Sequence, residues 1–478
     1  MTASTLSAIG PLVALAVAVL VVMIALAIHR SRGLTFALTL AGLAAAAVTL
    51  RHAPMAPAID AVPLVVFDAA ARFYTGLILA ATAAIAVLAF GDAEWQGERP
   101  EEIDLLLLLA ALGSVVLVAA VHFVALFLGL EILSVSLYAL IAYPRTHAAS
   151  LEAGVKYLVL AAGSAAFLLF GMALVYAETG TMAFAGLTMM PSVADATVAL
   201  AGVGLIVVGI GFKLALVPFH LWTPDVYEGA PAPVAAFIAT VSKGAVLALL
   251  VRYAAIIDVR SHPSLFMAFA VLAVASMVAG NVLALLQDNV KRLLAYSSIA
   301  HLGYLIVAFL ASGALASTAI AFYLSAYFVT MIGAFGVVTV LSQERGAGTG
   351  SLDEYRGLAL RRPWIATVFA AMLLSLAGIP LTAGFVGKLY VTVAAGGAAL
   401  WTLLVVMMLT SGLGLFYYLR VIVALFMQPT DSAVATLAAI RVPVAAGLTL
   451  AALAVALVWL GVYPEPFIQV IRATVGGG

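Results

Sequence analysis

The stretch Gly209–Pro218, GIGFKLALVP, interrupts an apolar segment (197–221) that is otherwise long enough to cross a membrane. A second stretch, Ala377–Lys388 (AGIPLTAGFVGK), interrupts the apolar segment 363–397 in the same way. Each stretch combines glycines, a proline and a lysine. The glycines and the proline interrupt the helix, and the lysine places a charge within the span. The two segments are five spans apart, so they cross the membrane in opposite directions. Paired interruptions are typical of inverted repeats in transporters, with the functional site at the breaks; ordinary proline kinks are the alternative.

The composition excludes an ordinary water-soluble protein. Hydrophobic residues form 66% of the 478 positions and charged residues 9%, and the mean hydropathy is +1.23. Soluble domains contain about a quarter charged residues, so lipid must replace water over most of this surface. The net charge is +0, and lysines and arginines are not clustered, so we expect no nucleic-acid partner. The absence of cysteine excludes disulfides and thiolate-ligated metal or iron–sulfur sites.

Fourteen segments have about 20 apolar residues, the length that spans a membrane. They are 8–28, 34–50, 73–90, 103–121, 123–143, 154–177, 197–221, 232–255, 265–286, 293–312, 315–341, 363–397, 400–427 and 442–461. We therefore predict an all-α integral membrane fold with about 14 transmembrane helices, of which helices 7 and 12 are broken. The predicted regions are an N-terminal three-helix region (1–100), a first inverted repeat of spans 4–8 (101–256), a second of spans 9–13 (257–428) and a C-terminal span (429–478).

Two further segments bear on this arrangement. The first apolar run, Ile9–Ile28, is followed rather than preceded by basic residues, which is opposite to the order in a cleaved signal peptide. We predict that it is a retained first span. The longest polar joint, Ser342–Arg362, is predicted to be a surface loop with a short interfacial helix.

The basic residues predict an orientation. If the N-terminus lies outside, the joints that face the cytoplasm contain eleven lysines and arginines, whereas the opposite joints and the C-terminus contain four. The eleven are Arg30, Arg32, Arg99, Arg145, Lys291, Arg292, Arg345, Arg356, Arg361, Arg362 and Arg441. Because cytoplasmic loops are enriched in lysine and arginine, we predict that both termini lie on the outer, periplasmic side.

Lysine is rare in this chain and is placed within the spans. There are five lysines against sixteen arginines, and Lys156, Lys213, Lys243 and Lys388 all fall inside predicted spans. A charge at the bilayer centre costs about 3 kcal/mol. Arginine cannot lose its proton in a protein, whereas a buried lysine can. We therefore predict a proton relay through Lys213, Lys243 and Lys388. Lys156 lies near the end of its span and four residues from Glu152, so a proton-uptake role and a structural salt bridge explain it equally well.

Other titratable residues are candidates for the same relay. Glu131 lies in the middle of the fifth span, where a carboxylate protonates or seeks a cation, so we expect a lysine partner. A static Glu–Lys pair that joins two helices is the alternative. His220 lies just after the first break and can carry protons at neutral pH, although a lone histidine is often a packing residue. His301 and Tyr304 are further candidates for a proton path.

The sequence carries no motif for other chemistry. The sequence contains no glycine-rich phosphate loop, no histidine pair with metal-ligand spacing and no hydrolase elbow. The seven histidines are scattered along the chain. We therefore expect no metal and no redox cofactor bound by this chain.

Four stretches closely resemble one protein family, the antiporter-like membrane subunits of respiratory complex I. They are Leu128–Tyr143 (LGLEILSVSLYALIAY), Phe212–Lys243 (FKLALVPFHLWTPDVYEGAPAPVAAFIATVSK), Gln287–Tyr304 (QDNVKRLLAYSSIAHLGY) and Ser375–Tyr390 (SLAGIPLTAGFVGKLY). The resemblance extends over roughly 105–427 and is greatest to the N-type branch. M-type members typically have a glutamate where Lys388 stands, and L-type members continue into a long lateral helix. The first three spans and the last match the family only in pattern.

The resemblance implies a fold, a role and partners. It implies two inverted five-helix repeats, with Glu131, Lys213, Lys243 and Lys388 on a central hydrophilic axis and His220 between them. It implies a proton-translocating subunit of NADH:quinone oxidoreductase in the bacterial inner (plasma) membrane. NADH, FMN, iron–sulfur clusters and quinone are then expected in partner subunits, and the nearest partners are other antiporter-like and small membrane subunits.

Other functions remain open from the sequence. A cation/proton antiporter subunit, or a membrane subunit of an energy-converting hydrogenase, would share the fold and the lysines. A purely structural membrane anchor is the third alternative, and it does not explain why several costly charges are kept within the spans.

Overall fold

The computed structural model describes residues 7–53, 64–91, 99–189, 197–256, 259–345, 350–428 and 442–475. Within these ranges the chain forms helices and three isolated β-bridges. Thirteen helical segments there are long and apolar enough to cross a membrane, and the apolar helix Pro363–Ala377 is shorter. The predicted all-helical membrane fold is confirmed.

The helices follow the predicted segments in order. The N-terminal region contains α1 (Gly10–Ile28), α2 (Arg32–His52) and α3 (Ala69–Phe90). The first predicted repeat contains α4 (Glu101–Ala119), α5 (Phe123–Ile141), α6 (Ala148–Thr179), α7 (Thr197–Leu214), α8 (Trp222–Gly229), α9 (Ala232–Phe237), a π-helical turn (Ile238–Ser242) and α10 (Lys243–Ile256). The second contains α11 (Pro263–Leu285), α12 (Val290–Ala311), α13 (Gly313–Arg345), α14 (Leu358–Arg361), α15 (Pro363–Ala377), α16 (Ala383–Gly397) and α17 (Trp401–Phe426). The chain continues with α18 (Val444–Val462) and α19 (Glu465–Thr474).

The seventh span is interrupted where the sequence predicts it. α7 ends at Leu214, and Ala215 adopts a left-handed conformation with φ 57°. The N–H of Ala215 donates to the Phe212 carbonyl at 3.0 Å, and that of Leu216 donates to the Gly211 carbonyl at 2.8 Å. This pair of bonds is a Schellman ending, which satisfies the last carbonyls of the helix.

The twelfth span ends its first half in the same way. Gly378 follows α15 with φ 85°, and its N–H donates to the Ser375 carbonyl at 3.0 Å. The N–H of Ile379 donates to the Leu374 carbonyl at 3.0 Å, so the two breaks share one hydrogen-bond pattern. The helix resumes as α16 at Ala383. Both helix interruptions predicted from the sequence are therefore present.

Contacts between joints support the predicted alternation of spans. Joints that follow odd-numbered spans contact one another and form the arginine-rich end of the bundle. These contacts are Arg30–Glu102, Tyr143–Glu102, Lys156–Asp225, Asp225–Arg292 and Asn289–Ser351. Joints that follow even-numbered spans meet at the arginine-poor end, through Val65–Ala120, His122–Ala183, Asp68–Arg252 and Arg260–Ala398. Arg441, which also enters the predicted count, lies outside the described residues.

The polar joint before α15 begins later than predicted, because α13 continues to Arg345 instead of ending before Ser342. The structure describes residues 350–362 of this joint. This part contains a 3₁₀ turn (Leu352–Tyr355) and the four-residue helix α14. The main difference from the predicted boundaries is α6, which begins at Ala148 rather than at residue 154. Glu152 and Lys156 lie on this additional first part of α6 and pair with each other at 2.6 Å, which favours the helical conformation there.

Burial separates central helices from peripheral ones. The most apolar windows of Ala232–Tyr253, Val290–Ala311 and Gly313–Ser342 are each 94% buried within the chain, against 22% for α1 and α18. Helices that are apolar all round and buried lie in the core of a bundle. The polar residues that these central helices carry are therefore shielded from lipid.

Candidate functional site

Three lysines share one kind of surrounding, which consists of a serine hydroxyl and the face of a tyrosine ring. The hydroxyl contacts of Nζ, at 2.6, 2.7 and 2.8 Å, are Lys213–Ser134, Lys243–Ser298 and Lys388–Ser411. The distances from Nζ to the ring centroid, 5.3, 5.4 and 5.5 Å, belong to Lys213–Tyr157, Lys243–Tyr227 and Lys388–Tyr304. Hydroxyls and ring faces stabilise an ammonium without carrying a charge. Among the described residues, no carboxylate lies within ion-pair distance of these three nitrogens.

The first lysine lies at the end of a half-helix. Lys213 is 2% exposed and occupies the last turn of α7, where the negative end of the helix dipole favours a cation. Trp222 donates from Nε1 to the Phe212 carbonyl at 3.1 Å, which ties the chain beyond the break back to α7. The break therefore fixes the position of this lysine.

Glu131 lies near Lys213 but does not pair with it. It interacts electrostatically with Lys213, yet the Lys213 ammonium donates to Ser134, which lies three residues after Glu131 on α5. The Oε1 atom of Glu131 is buried and has no hydrogen-bond partner among the described residues. The expected Glu–Lys ion pair is thus absent from this part of the structure, because the serine hydroxyl takes the position next to the ammonium. Glu131 is only partly buried, at the surface of the chain.

Lys243 lies at the centre of the bundle. It is 1% exposed and directly follows the π-helical turn, a feature frequently found at functional sites. Its partner Ser298 also accepts a hydrogen bond from Tyr327 at 2.8 Å and lies 3.3 Å from the Tyr227 hydroxyl. Ser298 therefore connects the lysine to two phenols.

The central helix α12 carries further polar residues near Lys243. Together with Glu131, His220 and the three lysines, we call them the row. His301, one turn beyond Ser298, contacts the Tyr323 hydroxyl through Nδ1 at 2.8 Å and the Tyr418 hydroxyl through Nε2 at 3.2 Å. Tyr418 also contacts the hydroxyl of Ser297, the neighbour of Ser298. A histidine between two hydroxyls can accept a proton at one nitrogen and donate one from the other.

Lys388 lies at the second break. Besides its serine contact, its Nζ donates to the carbonyls of Leu376 and Ala377, each at 2.9 Å. These carbonyls lie at the C-terminal end of α15, where the last carbonyls have no partner within the helix and the helix dipole favours a cation. Lys388 interacts electrostatically with His301, which joins it to the α12 row. Like Glu131, it is partly exposed at the surface of the chain.

His220 lies in the seventh-span break. It is 8% exposed, and its Nδ1 is buried without a hydrogen-bond partner in the described structure. It interacts electrostatically with Lys243. It also interacts with the backbone of Pro218, the proline of the break.

Lys156 lies apart from the row. It pairs with Glu152 at 2.6 Å and with Asp225 at 2.7 Å, and its side chain is 42% exposed. The predicted salt bridge with Glu152 is therefore present. Lys156 belongs to a charged cluster at the arginine-rich end.

Several residues of the row were missed by sequence reasoning. These are Ser134, Ser297, Ser298, Tyr327, Tyr323, Tyr418 and Ser411. The signal on α12 is a polar stripe at a spacing of three, Ser298–His301–Tyr304, within an apolar helix. In membrane helices a serine hydroxyl commonly bonds the backbone of its own helix, and a tyrosine ring commonly packs against other side chains. Their contacts with lysine therefore become visible only in three dimensions. Within the described ranges, no group of three or more His, Cys, Asp or Glu side chains could hold a metal ion.

Comparison with known proteins gives a consistent result. The family model "NADH:quinone oxidoreductase/Mrp antiporter, TM" matches residues 120–414. NADH-quinone oxidoreductase subunit N of Ectopseudomonas mendocina (strain ymp) is 47% identical over 483 residues, which cover 98% of this chain and 97% of the relative.

Solved structures have the same fold. A chain of respiratory complex I from Thermus thermophilus with bound aureothin has 34% identity and a TM-score of 0.82, over 98% of this chain and 100% of that one. A chain of the archaeal membrane-bound sulfane sulfur reductase has 25% identity and a TM-score of 0.85, over 99% and 97%. A chain of the Mrp complex from Dietzia sp. DQ12-45-1b has a TM-score of 0.84 over 99% and 97%, and at 22% identity it shares the fold alone.

Proposed function

The chain belongs to the family of membrane subunits shared by NADH:quinone oxidoreductases and Mrp antiporters, and we propose that it translocates protons along Lys213, Lys243 and Lys388. The observation that carries this proposal is their common surrounding of one serine hydroxyl and one tyrosine ring, without a carboxylate partner in the described structure. Such a lysine can release its proton without leaving an unpaired anion behind. A structural lysine would be expected to have a fixed counter-charge.

The contacts support a route through the chain. Glu131 acts on Lys213 electrostatically, so a change in the charge of Glu131 alters the proton affinity of Lys213. His220, which lies in the first break and interacts electrostatically with Lys243, carries the proton across that break. Ser298 and His301 on α12 then lead towards Lys388 at the second break. From there the proton leaves towards the outer side.

Two β-bridges support the proposed inverted repeats. The N-cap residues of α5 and α12, His122 and Asn289, form bridges to Ala183 and Ser351, which follow α6 and α13. In each bridge the residue after the N-cap donates its N–H to the other strand, at 2.9 and 2.8 Å. The two bridges lie at opposite ends of the bundle, as an inverted repeat requires. The matching ends of α7 and α15 support the same relation.

We propose that this subunit works within a NADH:quinone oxidoreductase. The 47% identity with a subunit N supports this assignment, as does Lys388, where M-type subunits have glutamate. Electron transfer, and the NADH, FMN, iron–sulfur clusters and quinone that it requires, are assigned to partner subunits. Glu131 and Lys388, at the two ends of the row, are both partly exposed on this chain, so neighbouring membrane subunits can cover them. The arginine-rich end is placed in the cytoplasm of a bacterial cell, and both termini on the periplasmic side.

Replacement of Lys213 tests the proposal. We expect Lys213→Met to assemble and to lower NADH-driven proton translocation in proteoliposomes by about 100-fold, the usual effect of losing a proton-transfer group. Arg472→Gln, an exposed residue of α19, serves as the control and should pump normally. Full proton stoichiometry in assembled Lys213→Met and Glu131→Ala variants would contradict the proposal.

A cation/proton antiporter is the second candidate, because the Mrp complex shares the fold. The two functions differ in what accompanies the chain and what drives it. NADH- and quinone-linked subunits that co-purify in mild detergent would support the first function. Cation-dependent proton transport by the isolated chain, without NADH oxidation, would support the antiporter.

A further inference from the structure

The short helix α8 separates an exposed ion-pair cluster from the most deeply buried lysine of the row. On one side of α8, the side chains of Asp225 and Glu228 are 32% and 40% exposed. On the other side, Tyr227 is 0% exposed and lies with its ring centroid 5.4 Å from Nζ of Lys243. Only the thickness of one helix therefore separates Lys243 from the surface at the arginine-rich end.

Four linked ion pairs lie on the exposed side of α8. We call the five residues that form them the α8 clamp. The pairs, at 2.6, 2.7, 2.8 and 2.8 Å, are Lys156–Glu152, Lys156–Asp225, Arg292–Asp225 and Arg292–Glu228. Three of these pairs tie α8 to α6 of the first predicted repeat and to α12 of the second. Single exposed pairs contribute little, but a connected network holds its members together more firmly.

The end of α8 is held by backbone contacts as well. Lys291 donates from Nζ to the carbonyls of Glu228 and Ala230 at 3.1 and 2.8 Å. Ser150 on α6 donates to the Gly229 carbonyl at 2.7 Å. A Cβ at Gly229 would lie 2.5 Å from the Ala149 carbonyl, so only glycine permits this close packing. α8 is therefore fixed at its end, and the α8 clamp fixes the remainder.

We propose that Asp225 and Arg292 are positioning residues that keep α8 closed over Lys243, and that release of the α8 clamp opens Lys243 to water at the arginine-rich end. This inference rests on the proposed role of Lys243 as a proton carrier. It adds the element that controls access to that carrier. Tyr227 is the side chain that closes the path, because its ring covers the ammonium and its hydroxyl lies 3.3 Å from Ser298.

The balance of charges indicates that Arg292 is the residue of the α8 clamp on which the position of α8 depends most. The α8 clamp contains three carboxylates and two cations, and Arg292 is the one that contacts both acidic residues of α8. Without it, Glu228 has no side-chain cation within the clamp, and Asp225 keeps only Lys156. The two like charges, three residues apart on α8, then repel each other. Loss of Arg292 therefore both removes contacts and destabilises the helix.

The clamp is not released by acid near neutral pH. Burial alone would raise the pKa of Asp225, but hydrogen bonds from Lys156 and Arg292 outweigh this and hold that pKa below its usual value. Other charged groups nearby are Glu228 on α8, Glu152 on α6 and Lys291 on α12. A carboxyl with a lowered pKa keeps its ion pairs above about pH 4 and loses them only in stronger acid. Opening between pH 5 and pH 8 must then come from movement of the helices.

A cysteine reporter tests the inference, because the chain contains no cysteine of its own. Ser298→Cys places a thiol next to Lys243 and Tyr227. In the assembled complex in membrane vesicles, a membrane-impermeant maleimide is applied to the arginine-rich end, with both inverted and right-side-out vesicles. We expect Arg292→Ala to accelerate labelling by about tenfold or more from that end alone. Asp225→Asn should act in the same direction and serves as the second variant.

Three controls distinguish opening of α8 from general loosening. Arg292→Lys should restore slow labelling, because Lys156 already shows that one ammonium can bind two carboxylates here. Arg252→Gln breaks the Asp68 pair at the other end and should have no effect. Ser136→Cys, buried on α5, should stay unlabelled in every background.

The results separate this inference from the proposed function. Unchanged labelling of Ser298→Cys in both Arg292→Ala and Asp225→Asn would overturn the inference, as would equal acceleration at Ser136→Cys. Labelling does not depend on pumping. If Lys243→Met abolished pumping while labelling did not respond to the clamp, the function would stand and this inference would fail. If labelling responded but Lys243→Met pumped normally, the function would fail.

Discussion

Each lysine of the row contacts a serine hydroxyl and the face of a tyrosine ring. Because both groups are uncharged, they affect how easily the ammonium releases its proton. At Lys213 and Lys243 both groups lie within a site that is nearly closed to solvent. A carboxylate about 4 Å away would hold the ammonium by about 4 kcal/mol at an effective dielectric constant of 20. Proton release would then be slowed by about a thousandfold. Neutral partners avoid this trap and still stabilise the charge.

Glu131→Gln tests whether Glu131 carries a changing charge or joins two helices. Because Oε1 of Glu131 has no hydrogen-bond partner in the described part of the chain, the amide should replace the carboxylate with little effect on assembly. Glutamine cannot ionise, so we expect NADH-driven proton translocation to fall by about 100-fold. Native gels of solubilised membranes measure assembly, and a pH-sensitive dye in proteoliposomes measures translocation.

The same experiment addresses the structural alternative. A static Glu–Lys staple would lose its ion pair in Glu131→Gln, and the complex would assemble poorly. Glu465→Gln on α19, where the glutamate is 52% exposed, is the matched control and should assemble and pump normally. Normal pumping by assembled Glu131→Gln would remove Glu131 from the route.

Ser298→Ala tests the connection between Lys243 and α12. The substitution removes the hydroxyl that contacts Lys243, Tyr327 and Tyr227, each such bond being worth about 1 kcal/mol. We expect proton translocation to slow by about tenfold, measured in the same proteoliposome assay. Ser136→Ala is the matched control, because the Ser136 hydroxyl bonds the Ile132 carbonyl of its own helix. Equal effects of the two substitutions would speak against the connection.

The sequence identifies residues whose placement within the membrane costs free energy, whatever residues lie next to them in the fold. Lysine within an apolar span is expensive wherever its neighbours lie, so Lys213, Lys243 and Lys388 could be predicted. Ser298 and Tyr327 cost nothing by themselves, and their importance depends on helices that meet only after folding. The missing Glu131–Lys213 ion pair has the same origin, because a serine one turn along α5 takes the place next to Lys213.

At the scale of elements, the two half-helices end on different residues in the same geometry. Ala215 and Gly378 occupy the left-handed position of the two Schellman endings, with φ 57° and 85°. Glycine adopts this conformation freely, whereas alanine pays a steric penalty. The break at α15 also holds Lys388 close to the backbone, since a Cβ at Gly378 would lie 3.1 Å from Nζ of Lys388.

Reciprocal substitutions test what each ending requires. Gly378→Ala should cost about 1 kcal/mol from the left-handed backbone. It should also displace the flexible end of Lys388 from the Leu376 and Ala377 carbonyls. The rate of proton translocation should therefore fall more than a loss of about 1 kcal/mol in stability would explain. Ala215→Gly relieves strain but makes the unfolded chain more flexible, so its net effect on stability should stay within about 1 kcal/mol. Thermal unfolding and pumping of the purified complex measure both; equal loss of pumping in the two variants would contradict this account.

Breaks and spans could be predicted from the sequence because their causes are local. Glycine and proline interrupt a helix through their own backbone chemistry, so both breaks were found at the right segments. The π-helical turn before Lys243 has no such local signal and was not predicted. Its residues, Ile238–Ser242, contain neither glycine nor proline, and all five are buried.

At the scale of the whole molecule, the joints form two separate sets of contacts, one at each end of the bundle. This separation requires an even alternation of spans, and it places both described ends of the chain, α1 at its start and α19, on the arginine-poor side. The distribution of basic residues, eleven against four, then predicts that the arginine-rich end faces the cytoplasm. The inference about α8 depends on this orientation for its direction, because the α8 clamp lies at the arginine-rich end.

Cysteine labelling in oriented vesicles tests the orientation. Thr146→Cys lies in the exposed joint between α5 and α6 at the arginine-rich end, and Arg472→Cys lies on α19, where the arginine is 54% exposed. With a membrane-impermeant maleimide, we expect Thr146→Cys to be labelled in inverted vesicles only and Arg472→Cys in right-side-out vesicles only. The reverse result would place the arginine-rich end outside and reverse the direction of the proposed route. Labelling of both cysteines from one side would contradict the alternation itself, since the contacts between joints place them at opposite ends of the bundle.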